Sequence, residues 1–175
     1  MEKVKIIILR GNNASGKTTA FYNLRDYSFK DKKVFKNWIF IDNNSIKRMF
    51  SNVDDQNWKM TSKEILLDLI KKILPLKRNI IIEETSKEML IKYFSKELKK
   101  YHYKIITFQF IVSLDEAIRR DKKRVEEKKH PGLGKLKIKE LREFHNKSLD
   151  KEGIIVNTNK LNKEQVVKFI IKNIR

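Results

Sequence analysis

Residues 6 to 21 read IIILRGNNASGKTTAF, and this stretch decides the fold. It passes from four apolar residues into a loop and then into residues that favour a helix. The chain has only five glycines, and two of them, Gly11 and Gly16, stand here with Lys17 directly after the second. This order predicts a buried strand, a tight loop and a helix in immediate succession.

The loop fits the pattern G-x-x-x-x-G-K-[ST], the phosphate-binding P-loop. Glycine permits the dihedral angles and the close approach with which backbone N–H groups curl around phosphate oxygens. The helix after the loop adds the positive end of its dipole. The Lys17 ammonium can reach the β- and γ-phosphates, and the Thr18 hydroxyl can ligate Mg²⁺. We therefore predict that the residues contacting a nucleotide include Gly11, Asn12, Asn13, Ala14, Ser15, Gly16, Lys17, Thr18 and Thr19.

The bulk composition indicates one globular domain spanning residues 1–175. Hydrophobic residues make up 40% of the chain, and no apolar run approaches the roughly 20 residues that a membrane helix needs. The absence of cysteine excludes disulfides and thiolate metal sites. Since no secretory signal is evident either, we expect a cytoplasmic protein with no membrane partner.

The formal net charge of +19 leaves two interpretations open. A strongly basic chain suits nucleic acid, an anionic surface or small phosphorylated ligands. The chain is also rich in Lys, Asn and Ile throughout, which is the pattern expected from genome composition alone. The charge therefore makes nucleic acid a possible partner without selecting it.

Five apolar runs are predicted as strands, at residues 4–10, 38–42, 79–83, 104–112 and 154–157. Capping patterns between them predict helix starts at Thr61, Thr85, Ser113 and, more weakly, Asn162. Further helices are predicted at 17–26, 45–51 and 137–150. Strands that alternate with helices predict a three-layer α/β/α fold with a five-stranded parallel sheet.

Asp42 ends the second predicted strand, in the stretch FIDNNSIKRMF. Because ligands bind where the carboxyl ends of parallel strands meet, Asp42 is a candidate base for a substrate hydroxyl or a candidate ligand of Mg²⁺. The alternative is an N-cap that opens the next helix. Lys47 and Arg48 in that helix can bind an anionic substrate group or form a solvated face.

The third predicted strand ends in two acids, Glu83 and Glu84. Successive residues alternate across a strand, so only one of the two faces the sheet edge easily. That carboxylate can hold a metal-bound water or a substrate hydroxyl. The alternative is plain solvation of a strand end, and the residues do not decide which glutamate matters.

A basic segment follows the fourth predicted strand, at residues 113–135 with the sequence SLDEAIRRDKKRVEEKKHPGLGK. Arg120 and Arg124 are four residues apart and share one helical face. We predict a helical lid at about 115–140 that neutralises charge on a transferred phosphoryl group and excludes water. The alternative is a solvated helix whose lysines pair with its own glutamates.

The whole chain resembles the P-loop kinase superfamily, in particular small bacterial ATP-binding kinase-like proteins, the polynucleotide kinase domain and zeta-toxin kinases. The shared stretches are IIILRGNNASGKTT, FIDNNSIKRMF, IIIEE, FIVSLDEAIRRDKKR and GIIVNTNKLNKEQVVKFI. The resemblance implies a nucleotide-kinase-like P-loop fold. It also implies that the last strand and loop border the adenine, which makes Val156, Asn157 and Thr158 candidate contacts.

One position departs from the relatives. They often carry an aspartate three residues before an arginine, and here those places fall near Asn44 and Lys47. The acid at Asp42 stands two residues earlier. Either the loop is shifted, or the usual base is missing from this chain.

The motifs and the resemblance together predict a kinase that uses ATP and Mg²⁺ to phosphorylate a hydroxyl of a small molecule or nucleotide. Two alternatives stay open: a polynucleotide 5′-hydroxyl kinase, favoured by the charge, and a nucleotide-binding switch without catalysis, favoured by the departure at Asn44. The predicted phosphate and metal groups are Lys17 and Thr18. The predicted catalytic and substrate-binding residues are Asp42, Arg48, Glu83, Arg120 and Arg124.

Overall fold

The structure is a computed structural model. It describes residues 4–31, 33–50, 57–83, 85–127, 132–147 and 152–174, apart from the side chains of Phe144 and Lys147. Some sequence-based expectations fall outside these residues: Glu84, the first two residues of HPGLG (His130 and Pro131), and the predicted helix ends at 51 and 148–150.

Strands and helices alternate along the chain. The strands are β1 (Val4–Gly11), β2 (Trp38–Asp42), β3 (Asn79–Glu83), β4 (Tyr103–Ile111) and β5 (Ile154–Asn157). The helices are α1 (Lys17–Lys30), α2 (Asn43–Arg48), α3 (Trp58–Ile73), α4 (Lys87–Lys100), α5 (Leu114–Glu126), α6 (Lys135–Lys147) and α7 (Lys163–Ile174), with a short 3-10 helix at Leu74–Leu76. Within the described ranges, no helix has the length and apolarity to cross a bilayer.

The five strands form one sheet in the order β2-β3-β1-β4-β5. The pairs β1·β3, β2·β3 and β4·β5 are parallel. Ile6, Ile7 and Ile8 of β1 are all fully buried, which means that both faces of the strand are covered. The predicted α/β class with a five-stranded parallel sheet is confirmed, because each strand is a short apolar run that needs cover on both faces.

The chain divides into two compact units. The first contains the described residues of Met1–Leu9 and Phe35–Thr107. Its core packs Ile8 and Ile82 of the strands against Leu66 and Ile70 of α3 and Leu90 of α4. The apolar residues of these helices recur every three or four positions, which places them on one buried stripe.

The second unit contains the described residues of Arg10–Val34 and Phe108–Arg175. In it, α1 contacts α7 and α5 contacts α6. A small buried cluster joins Ala14 of the loop to Val112, Ala117 of α5 and Ile138 of α6. The segment predicted as a lid therefore contains residues with a packed apolar contact to the loop.

Two of the four predicted caps are confirmed. Ser113 accepts from the backbone N–H of Glu116 at 3.3 Å and opens α5. Asn162 and Gln165 each accept from the other's backbone N–H at 2.9 Å, which is a reciprocal capping box at the start of α7.

The other two caps are wrong in position. Helix α3 begins at Trp58, and the Thr61 hydroxyl donates to Asn57 O inside its first turn. Helix α4 is capped by Ser86, which accepts from Met89 N at 3.1 Å, one residue after the predicted Thr85. Neighbouring hydroxyls satisfy a local pattern equally well, and packing selects among them.

The remaining boundaries differ by smaller amounts. Helix α1 extends to Lys30, past the predicted end at 26, and ends where the backbone of Asp31 leaves the helical conformation (φ −120°, ψ 83°). Helix α2 begins at Asn43 and α6 at Lys135, each two residues before the prediction. Strand β4 lies one residue earlier than predicted. His102 has a left-handed backbone conformation (φ 59°) that ends the turn after α4, and the strand begins at the next residue, Tyr103.

Candidate functional site

The loop between β1 and α1 is curled by three residues with positive φ. These are Gly11 at 146°, Ala14 at 56° and Gly16 at 88°. Backbone that repeatedly enters the left-handed region turns its N–H groups toward one concavity, which is an anion-binding nest. Such a conformation is strained for alanine and persists only where neighbouring contacts hold it.

Gly11 is needed for space as well as for its dihedral angle. A Cβ atom at this position would lie 2.1 Å from the carbonyl oxygen of Phe110, at the end of β4. The backbone N–H of the next residue, Asn12, donates to the same oxygen at an N···O distance of 3.4 Å. The loop therefore starts in direct backbone contact with β4, at a distance that only glycine allows.

Lys17, the first residue of α1, brings a positive charge to the loop. Its Nζ donates to Gly11 O and Asn12 O, both at 2.9 Å, and the residue is only 6% exposed. A buried ammonium costs free energy unless it is hydrogen-bonded, and the two carbonyl oxygens offset that cost. The ammonium is thus held beside the concavity, where it can meet an anion.

The start of α1 carries no competing negative group. Its N-cap is Gly16, and within the described residues neither a side-chain cap nor an acid in the first turn is present. The orphan N–H groups and the positive end of the helix dipole favour an anion at this point. Thr18 and Thr19 follow in the first turn and are half-buried.

Arg120 of α5 joins three segments of the chain. Its Nε donates to Glu116 Oε1 at 2.7 Å on the same helix. Its Nη1 donates to Ala14 O at 3.1 Å and to Thr158 Oγ1 at 3.0 Å, and its Nη2 donates to Thr158 O at 2.8 Å. The predicted contact of Arg120 with a transferred phosphoryl group stays a prediction.

Glu116 fixes the two neighbouring arginines. It accepts from Arg119 Nε at 2.6 Å and Nη2 at 2.7 Å, in addition to the bond from Arg120. The hydrogen bonds from Arg119, and then from Arg120, lower the pKa of the Glu116 carboxyl from 4.5 to about 2. At any pH well above 2, Glu116 therefore remains ionised and its hydrogen-bonded ion pair with Arg120 persists.

A cavity of about 890 Å³ lies beside the loop in the second unit. Ala14 and Gly16 line it at the loop end, and Arg120 and Arg124 line it from α5. The other polar lining groups include Thr19 and Asn23 of α1 and Asn159, Asn162 and Gln165 around the start of α7. A volume in this range with a few polar groups is typical of a small-molecule site.

The loop after β5 forms one wall of the cavity, and one of the three residues predicted there, Thr158, lines it. Thr158 and Asn159 line the cavity, whereas Val156 is fully buried in the core. The Asn157 side chain turns back and accepts from Asn159 N at 3.0 Å. The nucleotide contact predicted for Asn157 stays a prediction, and the cavity is lined by the residues that follow it.

Within the described residues, the segment predicted as a lid contains α5, residues 132–134 and the start of α6. Asp121 is buried and accepts from Leu133 N at 2.9 Å and Gly134 N at 3.2 Å, which fastens these two residues to α5. Arg142 donates to Val112 O and fastens α6 to the end of β4. Closure of this segment over a ligand stays a prediction.

Asp42 and Glu83 belong to the first unit. Asp42 caps α2: its Oδ1 accepts from Ser45 N at 3.1 Å and its Oδ2 accepts from Ser45 Oγ at 2.6 Å. Glu83 is fully buried at the end of β3 and stands opposite both Asp42 and Leu9 in the sheet register. Arg48 is exposed at the end of α2. The cap geometry is therefore present, and the predicted roles in chemistry stay predictions.

Sequence reasoning missed two residues of this site. Glu116 is the acid that completes the capping pattern of Ser113, and it also stands three and four residues before Arg119 and Arg120, a spacing that favours ion pairs on a helix. Asp121 was not singled out at all. Its role depends on a loop more than ten residues away, for which the sequence carries no signal.

Comparison with known proteins places the fold. No model of a known protein family matches the chain, and neither does any curated protein sequence. A presumed kinase of Chloroflexus aurantiacus has a similar structure (TM-score 0.69, 17% identity), covering 99% of this chain and 100% of that one. A chain of the Pnkp1/Rnl/Hen1 RNA repair complex is also similar (0.64, 18%), covering 87% of this chain and 48% of that one. A sugar kinase of Janibacter is similar as well (0.60, 12%), covering 98% and 94%.

At these identities the likeness establishes the fold. The chain has a P-loop kinase-like α/β fold with a five-stranded parallel sheet. The similar structures include a chain of an RNA repair complex and a sugar kinase, so the fold is common to proteins of different function.

Gly11→Ala should destabilise the protein by at least about 3 kcal/mol, because it adds left-handed strain and a collision with Phe110 O. Gly134→Ala is the matched control: its φ is also positive, at 78°, but nothing lies within 4 Å of the added Cβ. We expect the control to cost about 1 to 2 kcal/mol. Urea unfolding measures both, and equal costs would show that the close approach to β4 is unimportant.

Proposed function

We propose that this protein is an ATP-dependent phosphotransferase that transfers the γ-phosphate to a hydroxyl of a small molecule or nucleotide. The observation that carries the proposal is the curled loop with the Lys17 ammonium held at its carbonyl oxygens, at the uncapped start of α1. Backbone N–H groups, a helix dipole and a fixed cation in one place suit a polyphosphate better than any other common ligand.

The rest of the nucleotide has room beside the loop. The cavity of about 890 Å³ accommodates a ribose and a purine base. Asn159, Asn162 and Gln165 offer amide N–H donors to the edges of a base, while their side-chain oxygens accept from the protein. The backbone of Asn162 and Gln165 is already satisfied by their reciprocal cap, so the helix start that carries them is fixed before a ligand arrives.

Mg²⁺ belongs to the proposal as a partner of the phosphates. No group of three His, Cys, Asp or Glu that could hold a metal exists among the residues that the structure describes. Mg²⁺ in kinases needs only one or two protein oxygens, with phosphates and water completing its octahedron. The Thr18 hydroxyl, in the first turn of α1, is the proposed protein ligand. The bound ion would neutralise charge on the phosphates.

The acceptor hydroxyl needs a base and the transferred group needs a cation. We assign the base to Asp42, whose two oxygens are held in place by Ser45. Arg48 and Glu83 are the proposed contacts for the acceptor. Arg124, half-buried on the cavity side of α5, is the proposed cation for the moving phosphoryl group.

Specific observations favour two second candidates. The net charge of +19 and the likeness to a chain of an RNA repair complex favour a 5′-hydroxyl of RNA or DNA as the acceptor. The Asp42 cap favours a nucleotide-binding switch without catalysis, because a carboxylate that caps α2 has a structural reason to be there.

Lys17→Ala should lower phosphate transfer from ATP at least about a hundredfold, because it removes the cation that the loop holds against the phosphates. The assay uses labelled ATP with a panel of acceptors that includes sugars, nucleosides and 5′-hydroxyl oligonucleotides. Lys72→Ala, an exposed lysine at the end of α3, is the control for lost charge. Thermal unfolding of each variant separates lost chemistry from lost folding. Absence of transfer by the wild type to every acceptor would contradict the kinase proposal.

Asp42→Asn separates the base from the cap. Asparagine keeps an Oδ1 acceptor for Ser45 N and is a good N-cap, so the stability should change by less than about 1 kcal/mol. It cannot take up the proton of an acceptor, so kcat should fall at least about a hundredfold while ATP binding is kept. Unchanged turnover would leave Asp42 as a cap alone and favour the switch.

A polynucleotide kinase should bind its acceptor through phosphates. Affinity for a single-stranded 5′-hydroxyl oligonucleotide should then fall at least about tenfold as salt rises from about 50 to 200 mM. Fluorescence anisotropy measures the affinity, and the same oligonucleotide with a 5′-phosphate is the control that can bind but cannot accept. Affinity that is weak and insensitive to salt would leave the small-molecule acceptor.

A further inference from the structure

We propose that Arg120 is a positioning residue that holds the phosphate-binding loop in its curled form and couples it to the loop after β5. The phosphate end and the base end of the nucleotide site are then set by one guanidinium. The identity of the ligand rests on the proposed function, whereas the coupling of the two loops rests on contacts within the second unit alone.

The grip on the phosphate-binding loop acts through one peptide plane. The carbonyl of Ala14 and the N–H of Ser15 belong to the same planar trans peptide and point in opposite directions. Arg120 Nη1 holds the carbonyl oxygen at 3.1 Å, and on the other side Ser15 N donates to Asn12 O at 3.3 Å across the loop. Fixing the oxygen therefore also fixes the Ser15 N–H, whose bond to Asn12 O closes a turn of the loop.

This peptide is also where the loop needs outside support. Ala14 has a φ of 56°, a conformation that is strained for any residue with a Cβ. The residue is buried at 7% exposure and packs with Val112, Ala117 and Ile138. The apolar contacts hold the side chain, and Arg120 is the group that holds the carbonyl.

The grip on the second loop acts through Thr158, the first residue after β5. Thr158 N donates to Ile111 O at 3.0 Å, which anchors the residue to β4. Its carbonyl oxygen and its hydroxyl both accept from Arg120, at 2.8 and 3.0 Å. The Thr158 Cγ2 atom lies 3.9 Å from where a Cβ on Gly16 would stand, so the two loops are neighbours at this point.

Only arginine can make this set of contacts. The planar guanidinium reaches Glu116, Ala14 and Thr158 with three different nitrogens, and Glu116 fixes its orientation through Nε. A lysine ammonium is a compact point charge that cannot span acceptors on three segments. A guanidinium committed to four hydrogen bonds within the protein shapes the site before any ligand binds.

Amide hydrogen exchange of the nucleotide-free protein tests the coupling. In Arg120→Ala we expect the amides of 12–16 and of 158–162 to exchange at least about tenfold faster than in the wild type. Arg120→Lys should fail to restore either loop. An arginine that acts only by touching phosphate would leave both loops unchanged without nucleotide, and that result would overturn the proposal. Faster exchange in one loop alone would also overturn it, since the loops would not be coupled.

Arg119→Ala is the matched control. Arg119 is the neighbouring residue and also pairs with Glu116, but it is largely exposed and its described bonds go to Glu116 rather than to either loop. The control removes the same charge and an ion pair, and exchange in both loops should stay within about twofold of the wild type. If the control accelerates both loops as much as Arg120→Ala does, general loss of the α5 ion pairs explains the effect and the proposal fails.

A second pair of variants tests the coupling if Arg120→Ala does not fold, and calorimetry tests nucleotide binding separately. If Arg120→Ala does not fold, Thr158→Val removes the hydroxyl acceptor and should still accelerate exchange at 12–16, with Thr158→Ser as its control. Calorimetry with ADP and Mg²⁺ should show an affinity at least about tenfold weaker in Arg120→Ala, against at most about twofold in Arg119→Ala. A wild type that takes up no nucleotide would refute the proposed function while the exchange result decides the coupling separately.

Discussion

A loop that turns its backbone N–H groups toward one concavity leaves many of them without a partner inside the loop. Its conformation must therefore be stabilised by contacts with residues outside the loop. In this protein the outside contacts are the Phe110 carbonyl, which receives the Asn12 N–H, and Arg120, which holds the Ala14 carbonyl. Lys17 supplies a third restraint by bonding to carbonyls at the start of the loop. The position of α1, the wall of the cavity and the charge at the site all depend on this arrangement.

At the candidate site, part of the strong positive charge of the chain is paired with a carboxylate. Glu116 sits between two arginines, and their hydrogen bonds keep its pKa near 2, far from neutrality. One guanidinium is thereby turned toward the loops, while Arg124 lines the cavity. An acid in a basic helix thus serves to orient a cation, and a count of charges would not reveal that role.

The fold leaves the acceptor open for a physical reason. Similar structures include a sugar kinase and a chain of an RNA repair complex, and these have a fold like that of this chain. The ligand proposed for the loop is a polyphosphate tail, which is common to many reactions. Choice of acceptor depends on a few side chains beyond it, and here the proposed ones are Asp42, Arg48 and Glu83. Asp42 and Glu83 end neighbouring strands of the first unit.

Much of the fold was predictable because its determinants are local. The apolar runs fixed three strands at their observed bounds and the other two within one residue, since a buried parallel strand is a short run with few alternatives. Helix starts were predicted less well. Thr61 and Thr85 satisfy the capping pattern, yet the N-caps are Asn57 and Ser86. Several neighbouring residues can cap a helix, and the burial of the apolar face of the helix determines which of them lies at its start.

The sequence by itself determined the strand, the curled loop and the helix of residues 6 to 21, because each depends on residues within a few positions of one another. It also placed Arg120 and Arg124 on one face of α5. Only the tertiary structure decided that Arg120 turns to Ala14 and Thr158, which stand 106 and 38 positions away along the chain. Helical periodicity selects a face, but the partner on that face is chosen by the packing of segments that are distant in sequence.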